Sequence, residues 1–262
     1  MSGFGAFVMI ILAVVMLALI GLAVVRRSIP RDRLARHTDV AGYVYAVIGV
    51  IYAVVLAQVV VAAWEEYRDA RAVAADEASA VLNLARLAQV WPDEDRIRIE
   101  DVLEAYARNV VEVEWPAMAE GQFGPTLETE LVHRLWHAVN EAGVRAESRD
   151  TTYAASLAQL DTLDAARRGR VLLGEDALPE PMTLTLLIGA VITVAFSYLF
   201  AVDDGRLHGL MTAALATLVA LLLLLEYQLE TPFQGLSAIK PTAMELVLAE
   251  ITAGLELQGD GS

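Results

Sequence analysis

The chain has 262 residues, of which 56% are hydrophobic, and a formal net charge of −15. Soluble proteins usually carry about 45–50% apolar residues, so the excess predicts segments that lie in lipid. The negative charge argues against a nucleic-acid partner, because a phosphate backbone would repel it. The absence of cysteine excludes disulfides, zinc–thiolate sites and thiol catalysis.

Four apolar stretches reach the roughly 20 residues that cross a bilayer. They cover residues 7–25, 40–64, 182–202 and 207–229. Inside lipid the backbone must satisfy its own hydrogen bonds, so each stretch is predicted to be a helix. A short turn at 203–206 makes the last two a predicted helical hairpin. Positive charge follows the first stretch instead of preceding it, so this helix is predicted to be retained and not cleaved as a signal peptide.

The placement of arginine predicts the orientation of these helices. The loop between the first two stretches carries Arg26, Arg27, Arg31, Arg33 and Arg36, and is therefore predicted to be cytoplasmic. The N-terminus, residues 65–180 and the tail at 231–262 are then expected outside. Residues 65–180 hold 24 acidic and 12 basic residues, which agrees with this orientation but does not prove it, because long domains cross regardless of charge.

The predicted topology divides the chain into four segments. Residues 1–64 form two membrane helices with a basic loop, and 65–180 form an acidic helical domain outside the membrane. Residues 181–230 form the membrane hairpin, and 231–262 form a tail with a short amphipathic helix. The fold class is therefore an all-α integral membrane protein with a large outer helical bundle.

The second membrane helix is predicted to continue into the outer domain, as one helix from about Val40 to Val90 that ends before Pro92. Another helix is predicted over 93–115, broken by Pro116 and the stretch 121–125. A third begins near Thr126, and a fourth covers 151–173 with Gly174 at its C-cap. A tail helix begins at Pro241.

Each of the last three helices carries an apolar stripe that is expected to face the core. The stripes are Leu127, Leu131, Leu135 and Val139; Leu157, Leu160 and Leu163; and Met244, Leu248 and Ile251.

Six short stretches form a recognisable set. They are GVIYAVVLA at 49–57, WEEY at 64–67, DEASA at 76–80, EWPAM at 114–118, TVAFSYLF at 193–200 and PF at 232–233. The set resembles the bacterial bestrophin-like family of four-span membrane proteins over nearly the whole chain. The resemblance implies a bacterial cytoplasmic membrane and kinship with bestrophin anion channels, which are pentamers whose pore is lined by the second span. A homo-oligomer is expected because four spans are few for a transporter, so a pore arises most simply from symmetry between subunits.

The sequence departs from the bestrophin pattern in two respects. The aromatic constriction of the bestrophin pore has no counterpart, because residues 40–64 contain no phenylalanine. Bestrophins also carry their large domain in the cytoplasm, whereas the arginines here predict an outer domain.

The acidic end of the second span is the first candidate site. Glu65, Glu66 and Asp69 would form carboxylate rings around the axis of an oligomer, and such rings favour cations. They cannot all face one direction on a helix, and the alternative is that these charges simply meet water and headgroups. Trp64 and Tyr67 beside them are typical interface anchors.

Three further polar residues accompany this candidate mouth. Gln58 lies about 9 Å inside it and either faces the pore or bonds another helix. Glu226 is the carboxylate within the apolar run of the fourth span, where it either marks a functional site or extends towards the interface. Glu230 follows four residues later and is expected to share its face.

His133 and His137 are four residues apart and form a weak candidate metal site, which would need a carboxylate as well. Solvated histidines on a helix face are the alternative. The sequence HRLWH lacks the internal glutamate of zinc proteases. Two acidic clusters, 93–95 and Glu112 with Glu114, are weak calcium candidates, and the first is better explained by a helix N-terminus.

These features predict an oligomeric ion channel that binds inorganic ions and lies in the lipid bilayer. The acidic mouth favours cations, whereas the family resemblance also allows anions. The alternative is a non-conducting envelope scaffold or a sensor whose outer domain binds a ligand or partner. The sequence contains no motif of an enzyme or of a cofactor site, so neither catalysis nor a cofactor is expected.

Overall fold

The computed structural model describes residues 3–35, 38–123, 130–145, 151–175 and 179–259. Every regular element in this described part is helical, as the sequence predicts. The elements are α1 (Gly3–Ser28), α2 (Arg31–Ala35), α3 (Thr38–Ala88), α4 (Asp93–Asn109), a π-helix (Val110–Glu114), α5 (Trp115–Ala119), α6 (Glu130–Arg145), α7 (Thr151–Glu175), α8 (Glu180–Ser197), α9 (Gly205–Glu230) and α10 (Thr242–Gly259).

The chain forms two compact units. One, called here the membrane unit, contains Met1–Glu65 and Ala177–Glu230. The other, called here the helical domain, contains Glu66–Asp176 and Thr231–Ser262. The tail helix α10 therefore belongs to the same unit as α4, against which it packs.

In the membrane unit, α1, α8 and α9 pack against one another. Three described helices are long and apolar enough to cross a membrane, namely α1, α3 and α9. The apolar segment of α8, Pro181–Ser197, is shorter. Its crossing, and with it the count of four spans, therefore stays a prediction.

The predicted end of the third span at residue 202 is wrong, because α8 ends at Ser197. Two polar interactions favour the early end. The imidazole Nε2 of His208 lies 3.0 Å from the carbonyl oxygen of Ser197, which has no partner in its own helix. The Asp204 carboxylate accepts a 2.8 Å bond from the N–H of Arg206 and so caps the start of α9.

The long helix α3 confirms the predicted continuation of the second span. It contains 51 residues, a length of about 76 Å at 1.5 Å per residue. It ends in a turn in which the N–H of Trp91 donates to the carbonyl of Ala88 over 3.0 Å. Pro92 follows as the N-cap of α4, because proline has no N–H to continue the previous helix.

Pro116 does not break the helix that begins at Asp93, which corrects the prediction. The chain widens into a π-helix over Val110–Glu114, and the N–H of Trp115 bonds the carbonyl of Val110, five residues back. Pro116 then lies in the first turn of α5, where its missing N–H costs little. The helix instead ends before Gly121, whose φ of 78° favours glycine.

The predicted apolar stripes pack in the core of the helical domain. Leu131, Leu135 and Val139 are buried, as are Leu160 and Leu163. Met244 and Ile251 are also buried, while Leu157 and Leu248 are partly buried against this core. Thr126 and Leu127 lie outside the described residues.

Gly174 is not the C-cap of its helix, because α7 continues to Glu175. Its role is steric instead. A Cβ at this position would collide with the ring of Phe123, so glycine allows the aromatic side chain to pack directly on the helix.

Candidate functional site

The exposed face of α3 carries a regular line of polar and small residues. Gln58, Glu65, Asp69 and Asp76 are all exposed, and so are Ala62 and Ala72 between them. These six residues, called here the polar stripe, are spaced alternately by four and three. Such a spacing repeats every 3.5 residues and keeps side chains on one side of a helix.

The opposite side of α3 is buried. Leu56, Val59 and Ala63 are buried in the membrane unit. Ala70, Ala74 and Ala78 are buried in the helical domain. In a single chain the polar stripe therefore lies on the uncovered side of the longest helix, where Val61 and Trp64 are exposed as well.

The structure separates the acidic residues that the sequence groups at the mouth. Glu65 and Asp69 belong to the polar stripe, whereas Glu66 points about 100° away from Glu65 around the helix. Trp64 is 50% exposed. The Tyr67 hydroxyl donates a 2.8 Å hydrogen bond to the carbonyl of Ser237, which fixes this side chain inside the protein.

Glu226 is buried in the membrane unit, with 4% of its surface exposed. It interacts with Glu230 through charge and a hydrogen bond, so these two carboxyl groups do share one side of α9. Both interpretations of Glu226, as a functional site and as a carboxylate directed towards the interface, stay predictions. The burial means that Glu226 does not lie on an exposed face of a single chain.

The histidine pair has no third ligand within the described part of the chain. His133 and His137 are both exposed on α6. No cluster of three or more His, Asp or Glu side chains suitable for a metal occurs among the residues that the structure describes.

The carboxylates of the two acidic clusters form ion pairs with arginines. Glu112 lies 3.6 Å from Arg108, and Glu114 is buried against Arg167 and Arg170. The proposed calcium pair of Glu112 and Glu114 is therefore wrong. In the first cluster Asp93, Glu94 and Asp95 occupy the first turn of α4, as expected, and Asp95 pairs with Arg145.

A buried charge network in the helical domain was missed by the sequence analysis. Arg170 of α7 is fully buried. Its Nε donates to Glu77 Oε2 over 2.5 Å, and its Nη2 donates to Glu114 Oε2 over 2.6 Å. Arg167 Nη2 lies 3.3 Å from Glu114 Oε1. Two carboxylates thus face two guanidinium groups, so the network carries no net charge.

Neutral side chains complete this network. The Tyr106 hydroxyl donates a 2.5 Å bond to Glu77 Oε1. The Arg170 guanidinium lies 5.0 Å from the centre of the Trp115 ring, a distance typical of a cation–π interaction. These contacts join α3, α4, the π-helix, α5 and α7.

The electrostatics of the network favour its charged form. Burial acts to lower the pKa of Arg170, but the attraction of Glu77 and Glu114 outweighs it and raises the pKa. Burial together with the nearby Glu77 carboxylate raises the pKa of Tyr106 well above its usual value. Arg170 therefore stays protonated, and Tyr106 remains a hydrogen-bond donor.

Two features of the sequence relate to the network. Glu77 and Glu114 fall inside the stretches DEASA and EWPAM that carry the family resemblance. Sequence spacing alone does not connect them to Arg170, because the residues are 93 and 56 positions apart. The π-helix also changes the register that a regular helix would give Glu114.

Comparisons with known proteins agree with this fold. Residues 12–244 match the model of the family described as Bestrophin-like domain. A bacterial bestrophin homologue from Klebsiella pneumoniae is 16% identical with a TM-score of 0.73, and the match covers 93% of this chain and 98% of that one. A mutant of the homologue from this bacterium is 18% identical with a TM-score of 0.72, over 95% and 99%. At such identities the likeness shows a shared fold. No curated protein matches the chain in sequence.

Proposed function

Because this chain belongs to the Bestrophin-like family, we propose that it forms a homo-oligomeric ion channel in a bacterial cytoplasmic membrane, with a preference for cations. The polar stripe of α3 carries this proposal. A helix in a lone subunit that keeps polar residues exposed along one line is expected to face water or a symmetry-related copy.

A symmetric assembly explains both the stripe and its small residues. Cyclic symmetry brings the same face of each α3 to a common axis. Ala62 and Ala72 leave space there, while Gln58 offers an amide to a passing ion. The family resemblance supports the same arrangement, since the bestrophin pore is lined by the second span.

The charges of the stripe favour cations over anions. Each subunit would contribute Glu65, Asp69 and Asp76 to successive carboxylate rings, and such rings raise the local concentration of cations. The stripe contains no basic residue.

Bilayer recordings of the purified protein test this proposal. In a KCl gradient the reversal potential is expected to have the sign of the K⁺ equilibrium potential. The double variant Glu65→Gln with Asp69→Asn is expected to move the reversal potential towards zero. Glu66→Gln removes a charge beside the stripe and should shift it less. Asp161→Asn removes an exposed charge on α7 and serves as the control. Absence of current, or equal shifts in all variants, would contradict the proposal.

The orientation is part of the proposal and is tested separately. Because the native chain has no cysteine, single cysteines report their own position. Ser28→Cys, beside the arginine loop, is expected to resist an impermeant thiol reagent until cells are opened. Asp161→Cys is expected to react in intact cells. The reverse labelling would place the acidic domain in the cytoplasm.

A non-conducting sensor is the second candidate. It is favoured by a cavity of about 400 Å³ in the helical domain, whose lining includes Tyr67, Arg71 and Trp115. A protein that passes no current in any ionic condition but binds a ligand in that cavity would support the sensor and exclude the channel.

A further inference from the structure

A cavity of about 400 Å³ lies within the helical domain. One wall is the side of α3 that holds Tyr67 and Arg71, and another is Trp115 of α5. Residues 238–244, which lead into α10, line it as well. A cavity of this volume accommodates a small organic molecule.

The charges around this cavity are unlike those of the rest of the domain. Its lining includes Arg71 and Lys240, which is the single lysine of the sequence, and no acidic residue. In an acidic chain, carboxylates are the commonest partners of a basic side chain. The lining of this cavity nevertheless contains two cationic side chains and no carboxylate.

Arg71 and Lys240 form no ion pair with any residue that the structure describes. Most other described arginines of the domain lie near a carboxylate, and Arg68 and Arg134 are the described exceptions besides Arg71. Those with a carboxylate within 4.0 Å are Arg86, Arg96, Arg98, Arg108, Arg145, Arg167, Arg168 and Arg170. Two cations beside one cavity are thus left to attract an external anion.

The walls of the cavity are held in place by hydrogen bonds. Trp115 Nε1 donates to the carbonyl of Ile239 over 2.9 Å, and the Tyr67 hydroxyl donates to the carbonyl of Ser237 over 2.8 Å. Both bonds fix the segment before α10 against the rest of the domain. A site that is already formed loses little conformational entropy on binding.

The start of α10 adds to the two side-chain charges. The N–H of Glu245 makes a helical bond to the carbonyl of Pro241 over 2.9 Å. The N–H groups of residues 242–244 precede this bond, and all three residues line the cavity. Backbone donors in the first turn of a helix favour negatively charged ligands.

We propose that this cavity binds a small anion that carries a phosphate or carboxylate group, with Arg71 and Lys240 as its charged ligands and Trp115 beside its apolar part. The site is separate from the polar stripe, because Arg71 lies about 140° around α3 from Gln58. The proposal therefore does not depend on conduction.

Thermal unfolding of the full-length protein in detergent tests the proposal, with inorganic phosphate and citrate as probes at constant ionic strength. At least one probe is expected to raise Tm saturably. Arg71→Gln and Lys240→Gln are each expected to weaken its apparent Kd about tenfold or more, as for other hydrogen bonds to charged groups. Lys240→Arg, which keeps the charge, should retain binding.

Arg68→Gln is the matched control, since it removes the same charge three residues earlier on α3 from a side chain that does not line the cavity. Equal weakening in this control would show a general charge effect and overturn the site. Absence of a saturable shift with both probes would also overturn it.

The anionic group can come from a free anion or from a lipid headgroup, because Tyr67 follows the apolar part of α3 closely. Vesicles with and without phosphatidylglycerol distinguish the two sources. If phosphatidylglycerol weakens phosphate or citrate binding in the native protein but not in Lys240→Gln, the headgroup occupies the site. If binding is unchanged by the lipid, the ligand is a free anion.

Discussion

The two units of this protein differ in what is buried between their helices. Both units pack glycines against aromatic rings, and in the membrane unit these contacts lie between apolar helices. A Cβ on Gly21 would lie 2.9 Å from Tyr198, and one on Gly189 would lie 2.6 Å from Tyr52. In the helical domain, by contrast, a network of charged residues around Arg170 is buried at the centre of the packed helices.

The surroundings of each unit explain this difference. Apolar side chains gain little by leaving lipid, so membrane helices associate through close contact between small residues and large neighbours. In water, burial of apolar surface drives association. The free energy gained by this burial can offset the desolvation cost of a buried ion pair. The comparison predicts that the membrane unit is sensitive to added volume and the helical domain to lost charge.

The largest expected effect comes from breaking the charge network. Arg170→Met leaves Glu77 and Glu114 buried with too little positive charge, which is expected to cost about 3–5 kcal/mol of the free energy of unfolding. Urea unfolding in detergent measures this loss. Arg168→Met removes an exposed neighbouring arginine that pairs with Asp164, and should cost less than about 1 kcal/mol. Equal losses in both variants would show that the network does not stabilise the domain.

A smaller effect is expected from added volume in the membrane unit. Gly189→Ala forces its methyl group into the Tyr52 ring, and overpacking of this kind costs about 1–3 kcal/mol. Thermal unfolding in detergent measures the change. Gly49→Ala is the control, because no described atom lies within 4 Å of its Cβ position. Tyr52→Leu in the Gly189→Ala background should restore stability, and a failure to do so would mean that the ring is not the obstacle.

The smallest expected effect is a pH dependence in the helical domain. Glu100 is 4% exposed, and burial raises its pKa despite the opposing charge of Arg96 and a hydrogen bond from Gln89. A raised pKa in the folded state favours the protonated form there. The free energy of unfolding is therefore expected to fall as pH rises from the unfolded pKa through the folded one.

Glu100→Gln isolates this contribution, since the amide stays neutral. The variant is expected to be more stable than the native protein above that pH window and to lose part of the pH dependence. Asp161→Asn, which changes an exposed carboxylate, should keep it. An unchanged slope of unfolding free energy against pH in Glu100→Gln would refute the assignment.

The sequence was most informative where one physical demand dominates. Hydrocarbon thickness sets the length of an apolar helix, so α1, α9 and the first part of α3 could be placed from composition. The continuation of α3 to residue 88 was also predictable, since no glycine or proline interrupts 65–88. The family resemblance, carried by six short stretches, was confirmed by the match over residues 12–244.

Periodicity was less informative where the backbone departs from a regular helix. Pro116 normally signals a break, but the π-helix before it places the proline in a new first turn. Likewise Asp203 and Asp204 gave the position of the hairpin turn, but the interaction of His208 with Ser197 could not be foreseen. It joins residues that are 11 positions apart.

By itself the sequence determined an all-helical membrane protein with one very long helix, because apolar length and an uninterrupted run of helix formers are local properties. Only the tertiary structure decided which carboxylates are exposed on the polar stripe and which are buried against arginines. It also decided which two cations meet at one cavity. These choices depend on packing between residues distant in the chain, and no local pattern records them.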